Sequence, residues 1–71
     1  MDQIKTGGLI RGLRTQKGLT QKALAEVVGV GDKAVSKWER GQGCPDVSLL
    51  PELSRVLGVG LEALLSGQLD A

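Results

Sequence analysis

Glycines placed between helix-like segments constrain this chain more than any other feature of its sequence. Gly18, Gly29, Gly41 and Gly58 each follow a segment whose apolar residues recur at helical spacing. Glycine readily adopts the left-handed conformation in which many helices end, so these four positions predict helix ends. The sequence shows no strand pattern, internal repeat or low-complexity segment. It therefore predicts an all-α chain of five short helices.

Capping residues and apolar spacing set the expected helix bounds. The first predicted helix is capped by Thr6 and runs to about Lys17, and the second, over 21–28, is capped by Thr20. The third runs from Gly31 or Asp32 to Arg40. The fourth runs from Ser48 or Leu49 to Leu57, and the fifth covers 61–65. Pro51, which has no N–H to donate, belongs in the first turn of the fourth helix. Residues 1–66 form one expected domain, and residues 67–71 form a tail that is expected to fray.

Side-chain chemistry excludes several classes of protein. The 71 residues contain no histidine and a single cysteine, Cys44, so neither an internal disulfide nor a Cys and His metal cluster is possible. Nucleophile–histidine catalysis is excluded, and a chain this short does not easily enclose a pocket between carboxylates. No apolar run reaches the roughly 18 residues of a membrane span, and a signal peptide is not evident. We expect a cytoplasmic protein that is not an enzyme and has no cofactor, metal, membrane contact or small-molecule ligand.

Charge is divided unevenly along the chain. Residues 1–40 hold eight Lys and Arg against four Asp and Glu, a balance of +4, whereas residues 41–71 hold one Arg against four acidic residues, a balance of −3. The net charge of +1 conceals this division. One basic end is what a nucleic-acid footprint requires, although solvated surface charge alone could produce the same asymmetry.

The spacing within residues 21–40 indicates two helices that cross through a tight turn. Ala25 supplies the small side chain that a close crossing needs, and Gly29 supplies the positive φ of the turn. Val35 and Trp38 lie three residues apart, so both point inward from the second helix. This arrangement is a helix-turn-helix with its second helix on the surface. The only aromatic side chain is therefore placed in the core, and the opposite face of its helix carries Asp32, Lys33, Ser36, Lys37 and Arg40.

Five separated segments agree in register over residues 4–66: GLTQ, ALAEVVGV, VSKWERG, PELSRVLGV and LEALL. With these segments the chain resembles the Cro and phage-repressor (XRE) family of helix-turn-helix domains. The resemblance implies a compact, five-helix, lambda-repressor-like domain that binds a double-stranded DNA operator as a homodimer, with its recognition helix in the major groove. We interpret the chain as a sequence-specific transcriptional regulator, with repression favoured. The alternative is a protein-interaction module such as an antitoxin or adaptor.

The resemblance also implies roles for individual residues. Positions that match base contacts are Asp32, Lys33, Ser36 and Lys37. Gln21 matches a phosphate-binding glutamine at the start of the second helix, and Arg40, Gln42 and Arg14 are weaker candidates for contact with the DNA backbone. Arg14 and Glu39 also match a pair that links the first and third helices. For the two lysines the alternative is a solvated helix face, and for Gln21 it is an ordinary helix residue.

Other positions depart from the pattern of the family or have two structural interpretations. Gly31 and Gly60 stand where such domains usually carry a Ser or Thr cap, and Asp32 is the alternative cap of the third helix. An aspartate facing DNA would repel phosphates unless it accepts a hydrogen bond from a cytosine amine. The leucine-rich end is expected to be partly core and partly a dimer seam: Leu61, Ala63, Leu64, Leu65 and Leu69.

Overall fold

Five α-helices joined by short turns make up residues 1–69, which are the part of the chain that the computed structural model describes. The helices are α1 Gln3–Gln16, α2 Gln21–Val28, α3 Asp32–Glu39, α4 Leu50–Leu57 and α5 Leu61–Ser66, and a 3-10 turn, Val47–Leu49, precedes α4. The predicted all-α, five-helix architecture is thus confirmed. Within residues 1–69 the longest helix has 14 residues, and none combines the length and hydropathy of a membrane span.

The predicted start of α1 is wrong. The helix begins at Gln3, and Asp2 caps it by accepting a 2.9 Å hydrogen bond from the N–H of Lys5. Thr6 is buried one turn inside the helix, where its hydroxyl donates to the carbonyl oxygen of Leu64 at 2.9 Å. Thr6 therefore joins α1 to α5 and does not cap α1. The helix starts earlier than predicted because packing against neighbouring helices stabilises it despite the glycines in its first turns.

The helix ends that the glycines predict are confirmed. Gly18, Gly29, Gly41 and Gly58 have φ angles of +71°, +79°, +71° and +72°. At Gly29 this conformation reverses the chain between α2 and α3, and a side chain at that φ would be strained. Gly67 ends α5 in the same conformation, with φ +76°. The last two residues of the predicted frayed tail, 70 and 71, lie outside the described residues.

The core lies among all five helices, with α1 and α2 placed between α3 on one side and α4 and α5 on the other. Helices α1 and α2 both pack against α3, and α5 packs against α1 and α4. The side chains with the least exposure come from every helix: Ile10, Leu24, Val35, Leu53, Leu57 and Leu64. Trp38 is only 5% exposed, which confirms its predicted place in the core.

Gly7 sets how closely α1 approaches α3. A Cβ atom built at Gly7 would lie 1.8 Å from the carbonyl oxygen of Trp38 and 2.9 Å from its carbonyl carbon. Both are backbone atoms, so no side-chain rotation could relieve the clash. A glycine inside a helix ordinarily destabilises it, whereas at this position the close contact between the two helices requires one.

Candidate nucleic-acid interface

Helix α2 presents its N-terminus at the surface. Thr20 caps it as predicted, with its hydroxyl oxygen accepting a hydrogen bond from the N–H of Ala23 at 2.9 Å. The N–H groups of Gln21 and Lys22, in the same first turn, have no partner within a helix because there is no earlier turn to supply one. These two groups and the helix dipole favour an anion at this end of α2.

The crossing of α2 and α3 has the predicted small residue at its centre. Ala25 is 1% exposed, and the carbonyl oxygen of Ala25 accepts the N–H of Val30 beyond the turn at 2.9 Å. Val35 is fully buried and Trp38 nearly so, and both belong to the same apolar cluster as Leu24. Because these two side chains fasten one face of α3 to the core, the opposite face is turned away from the protein.

That outer face of α3 is charged and open to solvent. Asp32, Lys33, Lys37 and Arg40 are exposed, while Ser36 is half-buried. Lys33 and Lys37 are one helical turn apart, about 6 Å. The structure therefore brings the five residues predicted on α3 together on one surface.

Gly31, and not Asp32, occupies the N-cap position of α3. Gly31 has extended backbone angles and makes no side-chain capping hydrogen bond, and Asp32 is the first helical residue. The alternative prediction that Asp32 caps the helix is therefore wrong. Its side chain lies in the first turn of α3, near the positive end of the helix dipole.

Arg40 lies at the opposite end of α3 from Asp32. Its Nε donates a 3.3 Å hydrogen bond to the carbonyl oxygen of Ser36, one turn back along the helix. The guanidinium is therefore held beside the C-terminal end of α3. From this position the guanidinium can contact a phosphate of the DNA backbone more readily than the base edges that lie beside the first turn of α3.

Glu39 connects α1, α2 and α3 from a buried position. Its carboxylate accepts from Arg14 Nε at 2.6 Å and Nη2 at 2.9 Å, and from Gln21 Nε2 at 3.0 Å. Arg14 Nη1 also donates to the carbonyl oxygen of Leu19 at 2.8 Å. The side chains of Arg14 and Glu39 are 12% and 3% exposed, so the predicted link between the first and third helices is confirmed as a buried one.

The hydrogen bonds to Glu39 outweigh the cost of burying it. Burial acts to raise the pKa of the Glu39 carboxyl, but hydrogen bonds from Arg14 and then Gln21 act to lower it, and the pKa lies below its ordinary value. The positive charges of Arg14 and Arg11 act in the same direction. In return, the hydrogen bond to Glu39 raises the pKa of Arg14. The pair is therefore ionised at neutral pH.

Gln21 is held by this network, which the sequence did not indicate. It lies at the first position of α2, as predicted, and one hydrogen of its side-chain amide is directed to Glu39. A primary amide has two donor hydrogens, so the second remains for an acceptor outside the protein. Gln21 and Glu39 are 18 residues apart and lie on different helices, so their pairing depends on how α2 and α3 are arranged, which the spacing of residues within one helix does not show.

Apolar side chains are exposed on and after α5. Ala63 and Leu64 are buried, whereas Leu61, Leu65 and Leu69 are 45%, 46% and 57% exposed. Leu61 and Leu65 are four residues apart on one helix and therefore share a face. Of the five residues predicted to be partly core and partly dimer seam, Ala63 and Leu64 belong to the core. The other three, the exposed leucines, are available for a contact between molecules.

The comparison with known families decides the classification. Residues 10–64 match the model of a helix-turn-helix family, HTH_3, which is more than half of the chain. The chain belongs to this family. The resemblance that the sequence motifs indicated is therefore confirmed.

Several proteins similar to this chain are named as regulators of transcription. The chain is 46% identical over 56 residues to the transcriptional activator BcrR of Enterococcus faecalis, an alignment that covers 79% of this chain and 28% of BcrR. It is 35% identical over 65 residues to multiprotein-bridging factor 1 of Candida albicans, covering 92% of this chain and 43% of that protein. The chain thus spans less than half the length of these two relatives.

A solved structure extends the likeness to a DNA complex. The P22 c2 repressor, crystallised with a synthetic operator, superposes with a TM-score of 0.82 at 36% identity, over 89% of this chain and 96% of that one. The agreement covers nearly the whole of both chains.

Proposed function

We propose that this chain binds double-stranded DNA in a sequence-specific manner and regulates transcription, with α3 in the major groove. The observation that carries the proposal is the division of α3 into two faces. Val35 and Trp38 fasten one face to the core, and the other presents charged side chains to solvent. The likeness to a repressor bound to its operator supports the same reading.

In this proposal the residues of the interface divide by task. The first two turns of α3 read base edges in the groove through Asp32, Lys33, Ser36 and Lys37. The N-terminus of α2 binds a phosphate through the N–H groups of Gln21 and Lys22 and the second amide hydrogen of Gln21. Arg40 contacts the DNA backbone at the other end of α3. No step requires a chemical reaction, cofactor or metal.

A homodimer on a two-fold symmetric operator is part of the proposal. Two copies would place their α3 helices about 34 Å apart, which matches half-sites one helical turn apart. The exposed leucines of α5 supply an apolar surface for contact between the copies. Occupying the operator would block polymerase and repress transcription. In a prokaryotic cell this takes place in the cytoplasm, where the DNA lies.

Replacing Lys37 with alanine tests the proposed groove contact. We expect Lys37→Ala to weaken operator binding by about 1–3 kcal/mol, because a base contact is lost. Lys5→Ala is the matched control, since it removes the same charge from an exposed position on α1, beside Gly67 at the end of α5. Fluorescence anisotropy with labelled duplex measures both, and equal affinities for the two variants would contradict the role given to Lys37.

A protein-interaction module remains the second candidate function. The likeness to multiprotein-bridging factor 1, a protein named for bridging other proteins, favours it. Salt separates the two candidates. Contact with several phosphates releases counterions, so log K for DNA falls steeply and linearly with log salt concentration, whereas an apolar protein contact changes little. A flat salt dependence in a duplex titration would reject DNA binding through this face.

A further inference from the structure

We propose that α3 selects an operator half-site rich in G·C pairs, with guanines opposite Lys33 and Lys37 and a cytosine opposite Asp32. The inference rests on the proposed function, since it names the class of DNA that the same surface would bind. The sign and hydrogen-bonding capacity of the exposed side chains on α3 carry it.

The exposed surface of α3 can donate at two positions and only accept at one. Lys33 and Lys37 carry ammonium groups, which donate and never accept, while the carboxylate of Asp32 accepts and never donates. In the major groove guanine offers two acceptors, O6 and N7, and cytosine offers one donor, its N4 amine. The three side chains therefore complement the two edges of G·C pairs.

Adenine and thymine match this helix less well than guanine and cytosine, because each offers a lysine one acceptor, N7 or O4, whereas guanine offers two. Adenine is read by a side-chain amide that donates to N7 and accepts from N6, but α3 contains neither Asn nor Gln. The methyl group of thymine needs an apolar contact, and the apolar side chains of α3 are turned inward: Val35 and Trp38 are buried, and Ala34 is half-buried against the core. Ser36 can accept or donate and so does not discriminate between pairs.

Asp32 adds selection by repulsion. Its carboxylate enters a groove lined by phosphates, where it is unfavourable unless a base supplies a hydrogen-bond donor. Both cytosine N4 and adenine N6 are donors, but adenine N7 lies beside N6 and would face the carboxylate with a second acceptor. Cytosine N4 has an acceptor on one side only, the O6 of the paired guanine, whereas adenine N6 lies between two, its own N7 and thymine O4. Asp32 therefore favours cytosine over adenine and penalises guanine and thymine.

The positions of these side chains match the reach of the helix into the groove. The residues nearest the N-terminus of a recognition helix contact base edges, and Asp32 and Lys33 are the first two residues of α3. Lys37 follows Lys33 by about one helical turn, 5.4 Å, so the two ammonium groups reach base pairs one or two steps apart, at about 3.4 Å per step. We assign no base contact to Arg40, because its Nε donates a hydrogen bond to the carbonyl oxygen of Ser36.

Selection from random duplex DNA, run with the unmodified protein and with variants, tests the inference. We expect the unmodified protein to enrich guanine at two positions and cytosine at a third in each half-site. Lys37→Ala should reduce the preference at one guanine position from about tenfold or more to near one, and Asp32→Ala should do so at the cytosine position alone. Asp32→Ala should also bind unrelated duplexes more tightly, because a negative charge is removed.

The outcomes separate this inference from the function on which it rests. If no duplex is enriched and binding does not depend on salt, DNA binding itself fails. If a sequence is enriched but the positions that respond to Lys37→Ala or Asp32→Ala carry A·T pairs, the inference fails and the proposed function stands. Lys5→Ala, outside the surface, should reproduce the sequence preferences of the unmodified protein.

Discussion

Two glycines of α1 occupy opposite environments on the same helix. Gly7 is buried against the backbone of Trp38, where a Cβ atom would lie 1.8 Å from a carbonyl oxygen. Gly12 lies in the interior of the same helix but is exposed, and a Cβ atom there would meet nothing within 4 Å. The same change of residue must therefore have opposite effects at these positions.

Alanine at each glycine tests this difference. Gly7→Ala should lower the free energy of unfolding by about 1–3 kcal/mol or more, because α1 and α3 must separate to admit the methyl group. Gly12→Ala should raise it by up to about 1 kcal/mol, since alanine is the better helix former. Urea unfolding followed by circular dichroism measures both changes. Equal effects of the two substitutions would show that the approach of α1 to α3 is not set at Gly7.

At this scale the sequence predicts a residue's type of environment better than its partner. Val35 and Trp38 lie three residues apart and therefore share one face of the third helix. The sequence predicts that this apolar face is buried, because the opposite face is charged. Thr6 was mistaken for a cap because Ser and Thr before apolar residues are usual caps, whereas its partner, Leu64, is 58 residues away. Contacts over such separations depend on how helices are arranged, which local pattern does not encode.

Among the elements, α1, α2 and α3 meet at the carboxylate of Glu39. Arg14 comes from α1, Gln21 from α2 and Glu39 from the end of α3. A network of this kind fixes the orientation of the recognition helix relative to the N-terminus of α2. The family resemblance supplied the Arg14–Glu39 pair, and the structure added Gln21, so the two proposed DNA-contacting elements share a link inside the protein.

The lowered pKa of Glu39 predicts how stability depends on pH. The unfolded chain takes up a proton at this carboxyl near the ordinary glutamate value of about 4.3, while the folded chain does so only at lower pH. The contribution of Glu39 is therefore present in full at neutral pH and is lost as the pH falls below about 4.3 towards the folded value. Glu39→Gln should remove this contribution and destabilise the protein by about 1–3 kcal/mol at pH 7, because Arg14 loses its charged partner.

Urea unfolding by circular dichroism at pH 7, 5, 4 and 3 measures that contribution. The loss of stability on acidification should be smaller in Glu39→Gln than in the unmodified chain. Glu26→Gln is the control, because it removes the same charge from an exposed position on α2 and should leave the acid dependence nearly unchanged. Parallel curves for the unmodified chain and Glu39→Gln would show that this carboxyl does not carry the effect.

At the scale of the whole molecule, the uneven charge of the sequence becomes a difference between two groups of helices. The basic first 40 residues form α1, α2 and α3, and the acidic remainder forms α4 and α5. The recognition helix therefore belongs to the basic group of helices, and the exposed leucines of α5 belong to the acidic group. The charge division and the leucines are both visible in the sequence, but only the fold separates the buried leucine, Leu64, from the exposed Leu61 and Leu65.

The dimensions of the molecule suit paired half-sites. Its extents of 29 × 22 × 21 Å are shorter than one turn of DNA, about 34 Å, so two copies can occupy adjacent half-sites without overlapping. If α5 forms the contact, binding to a two-half-site duplex should be cooperative. Inserting five base pairs turns the half-sites to opposite faces of the duplex and should abolish cooperativity without changing the affinity for one half-site.

Leu65→Glu should abolish the same cooperativity on the correctly spaced operator. The substitution places a charge in the apolar contact, and because Leu65 is 46% exposed, the fold itself should tolerate it. We expect a loss of about tenfold in the affinity of the second copy, or about 1.4 kcal/mol, with single half-site binding unchanged. Val47→Glu makes a similar change at a residue that is 69% exposed in the 3-10 turn before α4, and it should leave cooperativity intact. Gel-shift titrations on one and two half-sites measure both quantities, and undiminished cooperativity in Leu65→Glu would place the dimer contact elsewhere on the molecule.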